Sequence, residues 1–472
     1  MIPTHKHPAR RDPLRSGRKT VYERWSSPRI FVLAAGGAAI GFNNFWQFPQ
    51  LAAKYGGGAF LVVYLLCVLF LGVPLLMAEF AMGRAGKASP IATFRFLAGR
   101  ARADSLWQLV GGMGVLAVFL ILSYLSVITG WVIAFALRAG FGVFAGLTAD
   151  GMNAQFTQLV KDPEKQLFWH TLFIAMTMIV AGRGVRHGLE AVARFVVPLL
   201  LVLLLGLTGY AATTDAFAHA ASVLFMPDFS KLNGDGLLAA LSQAFFSLGL
   251  GAGAMLMYGA YLSADARITR LSFYVAGVDT VTSLAAALVV FTLLFAGGVD
   301  LASGPSLVFQ AIPLAFDHLP FGRTVMTLFY VLLIIVAWTS AIALAEPVMV
   351  WLSERFGMSL RRSTILCGLG AWTLGVVTIL SFNAWAFSFM FFGVVKKFGF
   401  FDVLQVVTAQ AVLPLCGILT AVFAGWVLKR DMMREALHLR PTGFYLLWRW
   451  LLRWAIPAML LIVLFNLPQL YA

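Results

Sequence analysis

Eleven stretches of this 472-residue chain each have the length and apolar character that crossing a lipid bilayer demands. A helix rises ~1.5 Å per residue and the hydrocarbon core is ~30 Å thick, so about 20 apolar residues in a row read as a span. The runs lie near 30–53, 58–82, 105–137, 167–182, 189–212, 237–262, 271–299, 322–353, 363–381, 402–428 and 444–468. The third, seventh and eighth are long enough to tilt or to project past the membrane. Hydrophobic residues make up 60% of the chain and charged residues only 12%, against ~25% charged in a soluble domain. Barrel-type alternation is missing. The expectation is an all-α integral membrane bundle, since in lipid each backbone amide has to be satisfied within its own segment.

The net charge of +15 does not point to nucleic acid. Of 35 Lys and Arg, 27 fall on one side of an eleven-helix path, in the tail to Arg29 and in 84–102, 183–194, 267–270, 355–362 and 429–453. By the positive-inside rule the N-terminus is expected in the cytoplasm of a cell whose inner (plasma) membrane holds the protein, with Ala472 outside. The basic tail lacks interleaved aromatics and reads as a topology and headgroup signal. No cleavable signal peptide is expected, because the first 28 residues are polar and basic. Cys67, Cys367 and Cys416 all sit in apolar runs, and no two histidines have ligand spacing on one span. With no nucleophile motif and no phosphate-binding glycine loop, the sequence predicts neither an enzyme nor an organic cofactor.

Two spans are interrupted. Residues 33–49 read LAAGGAAIGFNNFWQFP, and 245–261 read FFSLGLGAGAMLMYGAY. Glycines and asparagines occupy the middle of helices that should be regular. Close packing of small residues would account for Gly36, Gly37 and Gly41 alone. It does not account for Asn43 and Asn44, nor for a matching break five helices later. Unwinding a span frees peptide groups that are costly in lipid unless something satisfies them. A freed carbonyl suits an alkali cation, and the N-terminal end of a half-helix suits a carboxylate. Corresponding breaks in the first and sixth spans therefore predict a transporter with its binding site at mid-membrane.

The segment RWSSPRIFVLAAGGAAIGFNNFWQFPQLAAKYGGGAFLVVY, with GVPLLMAEFAMGR after it and AWTSAIALAEP in the eighth span, resembles the neurotransmitter:sodium symporter family. The resemblance covers about residues 24–470 and ends at an eleventh helix. It implies the LeuT-type bundle: a cytoplasmic tail (1–28), a five-helix repeat (29–212), an inverted five-helix repeat (236–428) with helices 1 and 6 unwound, a basic loop (429–443) and helix 11 (444–472). It also implies two sodium sites. The first would use the Ala39 carbonyl, Asn44, Ser247 and Asp279. Ser247 stands where the family often has Thr, and Asp279 at or next to a family Asn. The second would use carbonyls of Gly37, Ile40 and Val336 with the hydroxyls of Thr339 and Ser340. Taken singly, either hydroxyl would be expected to bond back to its own helix. Asp279 is a carboxylate in a span, functional by default, and would supply the negative charge that many relatives take from chloride. Glu79 would bond the unwound backbone of helix 6.

The same resemblance implies an amino-acid pocket. The substrate carboxylate would meet Gly41, Phe42, Asn43 and the Tyr124 hydroxyl. Its other contacts would come from Leu120, Phe246, Ser247, Gly249, Leu250, Ala252, Ser340 and Leu344. Amine-transporting relatives carry an Asp at the Gly41 position, so Gly41 points to an α-amino acid. Gly249 and Ala252 replace a Ser and a Phe of the leucine-binding prototype, which points to a bulky hydrophobic or aromatic side chain, with Met255 close enough to fill the space. The usual outer Arg–Asp gate reads Gln47 and Gln405 here, which a Gln–Gln bond could latch, with Asp402 nearby. At the inner gate Tyr22 stands in place of an Arg, leaving Arg24 or Lys19 to pair with Glu354, beside Tyr261. The reading is a sodium-coupled symporter working by alternating access. The alternatives are a proton- or sodium-coupled transporter of another small zwitterion, or a non-transporting sensor. A homodimer is left open.

Overall fold

The computed structural model describes residues 23–301, 304–317, 319–383, 387–391, 394–439 and 443–470. The basic tail through Tyr22, including Lys19, and the C-terminal Ala472 lie outside the described residues. Eight unbroken helices are long and apolar enough to cross a membrane: helix 2 (Gly58–Gly86), helix 3 (Ser105–Gly140), helix 5 (Val185–Ala211), helix 7 (Ile268–Ala296), helix 8 (Gly322–Phe356), helix 9 (Leu360–Ser381), helix 10 (Phe400–Val427) and helix 11 (Gly443–Asn466). Three further segments complete the expected path: helix 4 (Pro163–Ala181) and the two interrupted helices, 1 and 6.

Helix 1 starts where Ser27 accepts a bond from the Ile30 amide and Pro28 takes the first position, whose amide would have no partner in any case. It runs Pro28–Ala39, becomes extended at Ile40 and Gly41, makes a short 3-10 turn at Phe42–Asn44, and resumes at Gln47–Lys54. Helix 6 runs Gly234–Ser247 and Ala254–Ala260. Between its halves Gly249, Gly251 and Gly253 take φ of +62°, +75° and +76°, the left-handed region where a side chain is strained. The break also needs the space: a Cβ on Gly251 would sit 2.6 Å from the Leu413 carbonyl of helix 10.

Helix 1 packs between helices 5, 7 and 8, and helix 8 lies along helix 3. A Cβ on Gly37 would approach Val197 of helix 5 to 2.6 Å, and one on Gly36 would approach Val278 of helix 7 to 3.0 Å. Close packing and the break thus share these glycines.

The structure adds elements that hydropathy did not mark. Much of the stretch expected as a loop at 84–102 is the helix Pro90–Ala101. Further short helices are Ala149–Lys161, Phe217–Phe225 and Arg430–Leu437, with an apolar one at Leu307–Asp317. Helices 4 and 5 begin about four residues earlier than their apolar runs, at Pro163 and Val185, because their first turns are polar. A two-stranded antiparallel hairpin, Phe387–Phe391 with Val394–Phe398, joins helices 9 and 10. Outside the two breaks the described spans are helical, as expected.

Candidate functional site

The break in helix 1 frees the carbonyls at the end of its first half from the helical ladder. Helix 8 supplies their partners. Thr339 Oγ1 lies 2.9 Å from the Gly37 carbonyl and 2.9 Å from that of Val336. Ser340 Oγ lies 2.8 Å from the Ile40 carbonyl, 3.1 Å from Val336 and 3.5 Å from Ala38. Bonds back within helix 8 are also present, Thr339 to Val336 at 2.9 Å and to Ile335 at 3.2 Å and Ser340 to Val336 at 3.1 Å, alongside contacts across to helix 1 that are equally short or shorter. All five oxygens named for the second sodium site therefore converge. Oxygen-only donors of this kind suit a hard cation.

On the other side of the break, Asn44 Nδ2 donates to Asp279 Oδ1 at 2.9 Å, and the Ser247 hydroxyl donates to Asp279 Oδ2. Three of the four residues named for the first site thus form one buried cluster, and the fourth, Ala39, closes the first half of helix 1. Sequence reasoning missed two members. Ser283, one turn beyond Asp279, accepts from Asn44 Nδ2 at 2.6 Å; the i, i+4 spacing was the available signal. Tyr64 of helix 2 brings its hydroxyl beside Asp279, Ser247, Ser283 and Thr280 without bonding geometry to any of them.

Asn44 Oδ1 accepts the Gly41 amide at 2.8 Å, so this amide is already engaged by the protein. The amides of Phe42 and Asn43 remain at the start of the 3-10 turn, where a short helix lacks internal partners. Phe42 is buried and stacks on Trp46. Tyr124 of helix 3 packs edge-on against Phe401 of helix 10 at 5.6 Å. Leu120, Phe246 and Leu344 are half-buried, while Leu250 and Ala252 are buried. Gly249 faces Met255, whose Cε lies 3.8 Å from where a Cβ would be. The side chain that could occupy the space left by Gly249 does reach it. Glu79 accepts the Gly251 amide at 2.7 Å, tying the helix 6 break to helix 2.

Around both expected gates the structure shows other contacts. Near the outer gate Asp402 accepts the Gly399 amide at 2.7 Å to cap helix 10. An aromatic contact, Phe401 on Tyr124 and Phe382, stands between helices 3, 9 and 10. On the N-terminal side Glu354 accepts the Ser89 amide; of the two cations named for it, Arg24 makes no ion pair with it, and Lys19 lies outside the described residues. Tyr261 donates to Glu346, two turns earlier on helix 8, at 2.5 Å. The N-terminal segment is held differently. Trp25 is buried against Phe31, Tyr258 and Tyr261. Its indole donates to the Tyr258 carbonyl at 3.0 Å and its amide to the Tyr261 carbonyl at 3.2 Å. The Ser26 amide donates to Glu190 of helix 5 at 2.5 Å, and Glu23 accepts the Arg186 amide at 2.9 Å. A carboxylate on helix 5 thus also holds the N-terminal segment.

A helical bundle with two spans broken at mid-depth, each break facing polar side chains from its neighbours, is the architecture of a LeuT-type membrane transporter. Comparison with known proteins agrees. The model of the sodium:neurotransmitter symporter family matches residues 22–143 and 156–471. A sodium-dependent transporter of Bacillus subtilis (strain 168), YhdH, is 32% identical over 449 residues, covering 94% of this chain and 97% of the relative. A sodium-dependent transporter of Haemophilus influenzae is 27% identical over 451 residues, covering 94% and 98%. The crystal structure of MhsT in complex with L-phenylalanine superposes with a TM-score of 0.84 at 34% identity, over 95% of this chain and all of that one. The chain belongs to the sodium:neurotransmitter symporter family, a family of multi-pass membrane transporters that use sodium.

Proposed function

We propose that this protein imports a bulky hydrophobic or aromatic α-amino acid together with two sodium ions, by alternating access and without a need for chloride. The observation that carries the reading is the meeting of the helix 1 break with two oxygen clusters: Thr339 and Ser340 on one side, Asn44, Ser247 and Asp279 on the other. Sodium is the co-substrate of both. In the first cluster Asp279 supplies the negative charge, which is the reason for expecting chloride independence. In the second, the Gly37, Ile40 and Val336 carbonyls and two hydroxyls replace the ion's hydration shell.

The amino acid lies between helices 1, 3, 6 and 8. Its carboxylate meets the free amides after Gly41, the positive end of the 3-10 turn, and the Tyr124 hydroxyl. Gly41 carries no acid, so the substrate brings its own carboxylate. Phe246, Leu120 and Leu344 line the side-chain end, and the flexible Met255 beside Gly249 adjusts to its size. The phenylalanine held by MhsT supports an amino-acid substrate of this class. The N-terminus faces the cytoplasm and the two five-helix halves, 29–212 and 236–428, rock against one another. Inward sodium movement is driven by ~2.3 kcal/mol per charge per 100 mV.

The test is uptake by proteoliposomes offered a mixture of labelled amino acids under inward sodium, potassium or proton gradients, with chloride present or replaced by gluconate. Sodium-dependent accumulation of phenylalanine, tryptophan, tyrosine or leucine in gluconate supports the reading. Accumulation that ignores sodium, or that favours glycine and alanine, refutes it.

A further inference from the structure

The membrane-facing end of helices 3 and 4, remote from the substrate region, holds a groove of about 480 Å³. This lies within the ~300–1,000 Å³ of small-molecule sites. Its walls include Leu137, Arg138 and Phe141 near the end of helix 3, and Glu164, Phe168 and Trp169 at the start of helix 4. These ends lie on the side of the bundle opposite the N-terminal segment. Leu137, Phe141 and Phe168 are 46%, 79% and 60% exposed, so the rim offers apolar surface where hydrocarbon meets headgroups. Trp169 fits the same depth, where tryptophan is enriched.

The charges are unusual. Lys165, also in the wall, is neutralised by Asp162 at 2.7 Å. Arg138 and Glu164 have no ion pair with any described residue. Arg138 is half-buried, with the Gln155 carbonyl at 3.4 Å, the Phe135 ring at 5.8 Å and, within electrostatic reach, Asp162, whose carboxylate is already paired with Lys165. One groove thus presents a cation set into the wall and a carboxylate exposed at the first turn of helix 4, neither in an ion pair among the described residues. A guanidinium suits a phosphate by paired N–H donors, and a carboxylate suits a primary ammonium.

We propose that this groove binds one zwitterionic aminophospholipid, with its phosphate on Arg138, its primary ammonium on Glu164 and the start of an acyl chain along Leu137 and Phe168. An anionic lipid would meet Glu164 as a like charge. A choline headgroup has no N–H to give it.

The test is native mass spectrometry of the full chain in detergent, titrated with phosphatidylethanolamine, phosphatidylglycerol and phosphatidylcholine of matched chains. The first equivalent of phosphatidylethanolamine is expected to bind about tenfold more tightly than either other lipid. R138Q and E164Q should each remove about that factor, the size of one charge-assisted hydrogen bond. K161Q, an exposed cation outside the groove, should leave binding unchanged. Equal binding of the three lipids, a preference for phosphatidylglycerol, or an equal loss in K161Q would overturn the proposal. Glu164 is exposed, so E164Q decides the question however R138Q folds.

Discussion

Replacing Asp279 by asparagine keeps the shape of the side chain and removes its charge. In the structure its two oxygens accept from Asn44 Nδ2 and from the Ser247 hydroxyl. An amide nitrogen in either position would face a donor, so at least one bond is lost and the other becomes neutral. Bonds to a charged group contribute ~1.5–3 kcal/mol and neutral ones ~0.5–1.5 kcal/mol, so the cluster loses about 2–4 kcal/mol. The attraction between the carboxylate and a cation in contact with it is lost as well. Sodium affinity at this site should fall at least about a hundredfold, corresponding to ~2.7 kcal/mol. What remains is a set of donors without an anion. The Tyr64 hydroxyl lies beside Asp279, and the amide of Gln243, one turn before Ser247 on helix 6, has no partner among the described residues. An external anion could then replace the missing charge. The assay is amino-acid uptake by proteoliposomes at graded sodium, in chloride or gluconate. D279N should show a sodium half-saturation raised at least about a hundredfold in gluconate and partly restored by chloride, while the parent protein is indifferent to chloride. An unchanged sodium dependence in D279N would refute the placing of sodium at Asp279, and a parent protein that stops without chloride would refute the charge argument.

Other perturbations test other parts. E190Q weakens the bond to the Ser26 amide by about 1–2 kcal/mol, so the N-terminal side should open about 5–30 times more often; labelling of an A193C variant by a thiol reagent from that side measures it, and an unchanged rate would show that Glu190 does not latch. T339A combined with S340A removes both hydroxyls facing helix 1; sodium-stimulated substrate binding should vanish while the protein still extracts as a monodisperse species, and retained sodium stimulation would move the second site elsewhere. M255A frees space beside Gly249. It should shift competition toward tryptophan over leucine by about tenfold, the scale of a methylene or two in an apolar pocket, and an unshifted ratio would place Met255 outside the pocket.

Hydropathy marked the spans because lipid imposes one rule on every backbone amide, and the glycine and asparagine runs marked both breaks because few other reasons put such residues at mid-membrane. Thr339, Ser340, Asn44 and Asp279 were legible as polar groups that would need partners in lipid. Ser283 and Tyr64 were not, since one serine or tyrosine in a span is ordinarily satisfied locally. The holding of the N-terminal segment was legible only in part. Carrying over Arg24 or Lys19 with Glu354 drew attention to an ion pair, and the indole, the backbone amides and Glu190 from helix 5 that also hold this segment were not anticipated. Nothing local to Glu190 announces that role, because it depends on where the extended segment 23–27 lies in three dimensions. The short helices at 90–101 and 149–161 escaped because their polar turns carry no lipid signal.

The two breaks divide the work unequally. At helix 6 the gap is fixed by the protein: three glycines with positive φ set its path, and Glu79 holds the Gly251 amide. At helix 1 the gap is short of hydrogens. Thr339 and Ser340 bring two hydroxyl protons to the carbonyls of Gly37, Ala38, Ile40, Ile335 and Val336, and each hydroxyl donates only one. The surplus lone pairs, on two helices that face each other, ask for positive charge. A sodium ion would draw the first half of helix 1 toward helix 8 at this end. At its other end the same twelve-residue half-helix leads directly into Trp25 and Ser26, which bind helix 6 and helix 5. If the proposed sodium binds there, its occupancy and the closure of the N-terminal side act on the two ends of one short helix, Pro28–Ala39. Without the ion that attraction would be gone, and the contacts of Glu23, Trp25 and Ser26 would hold the other end.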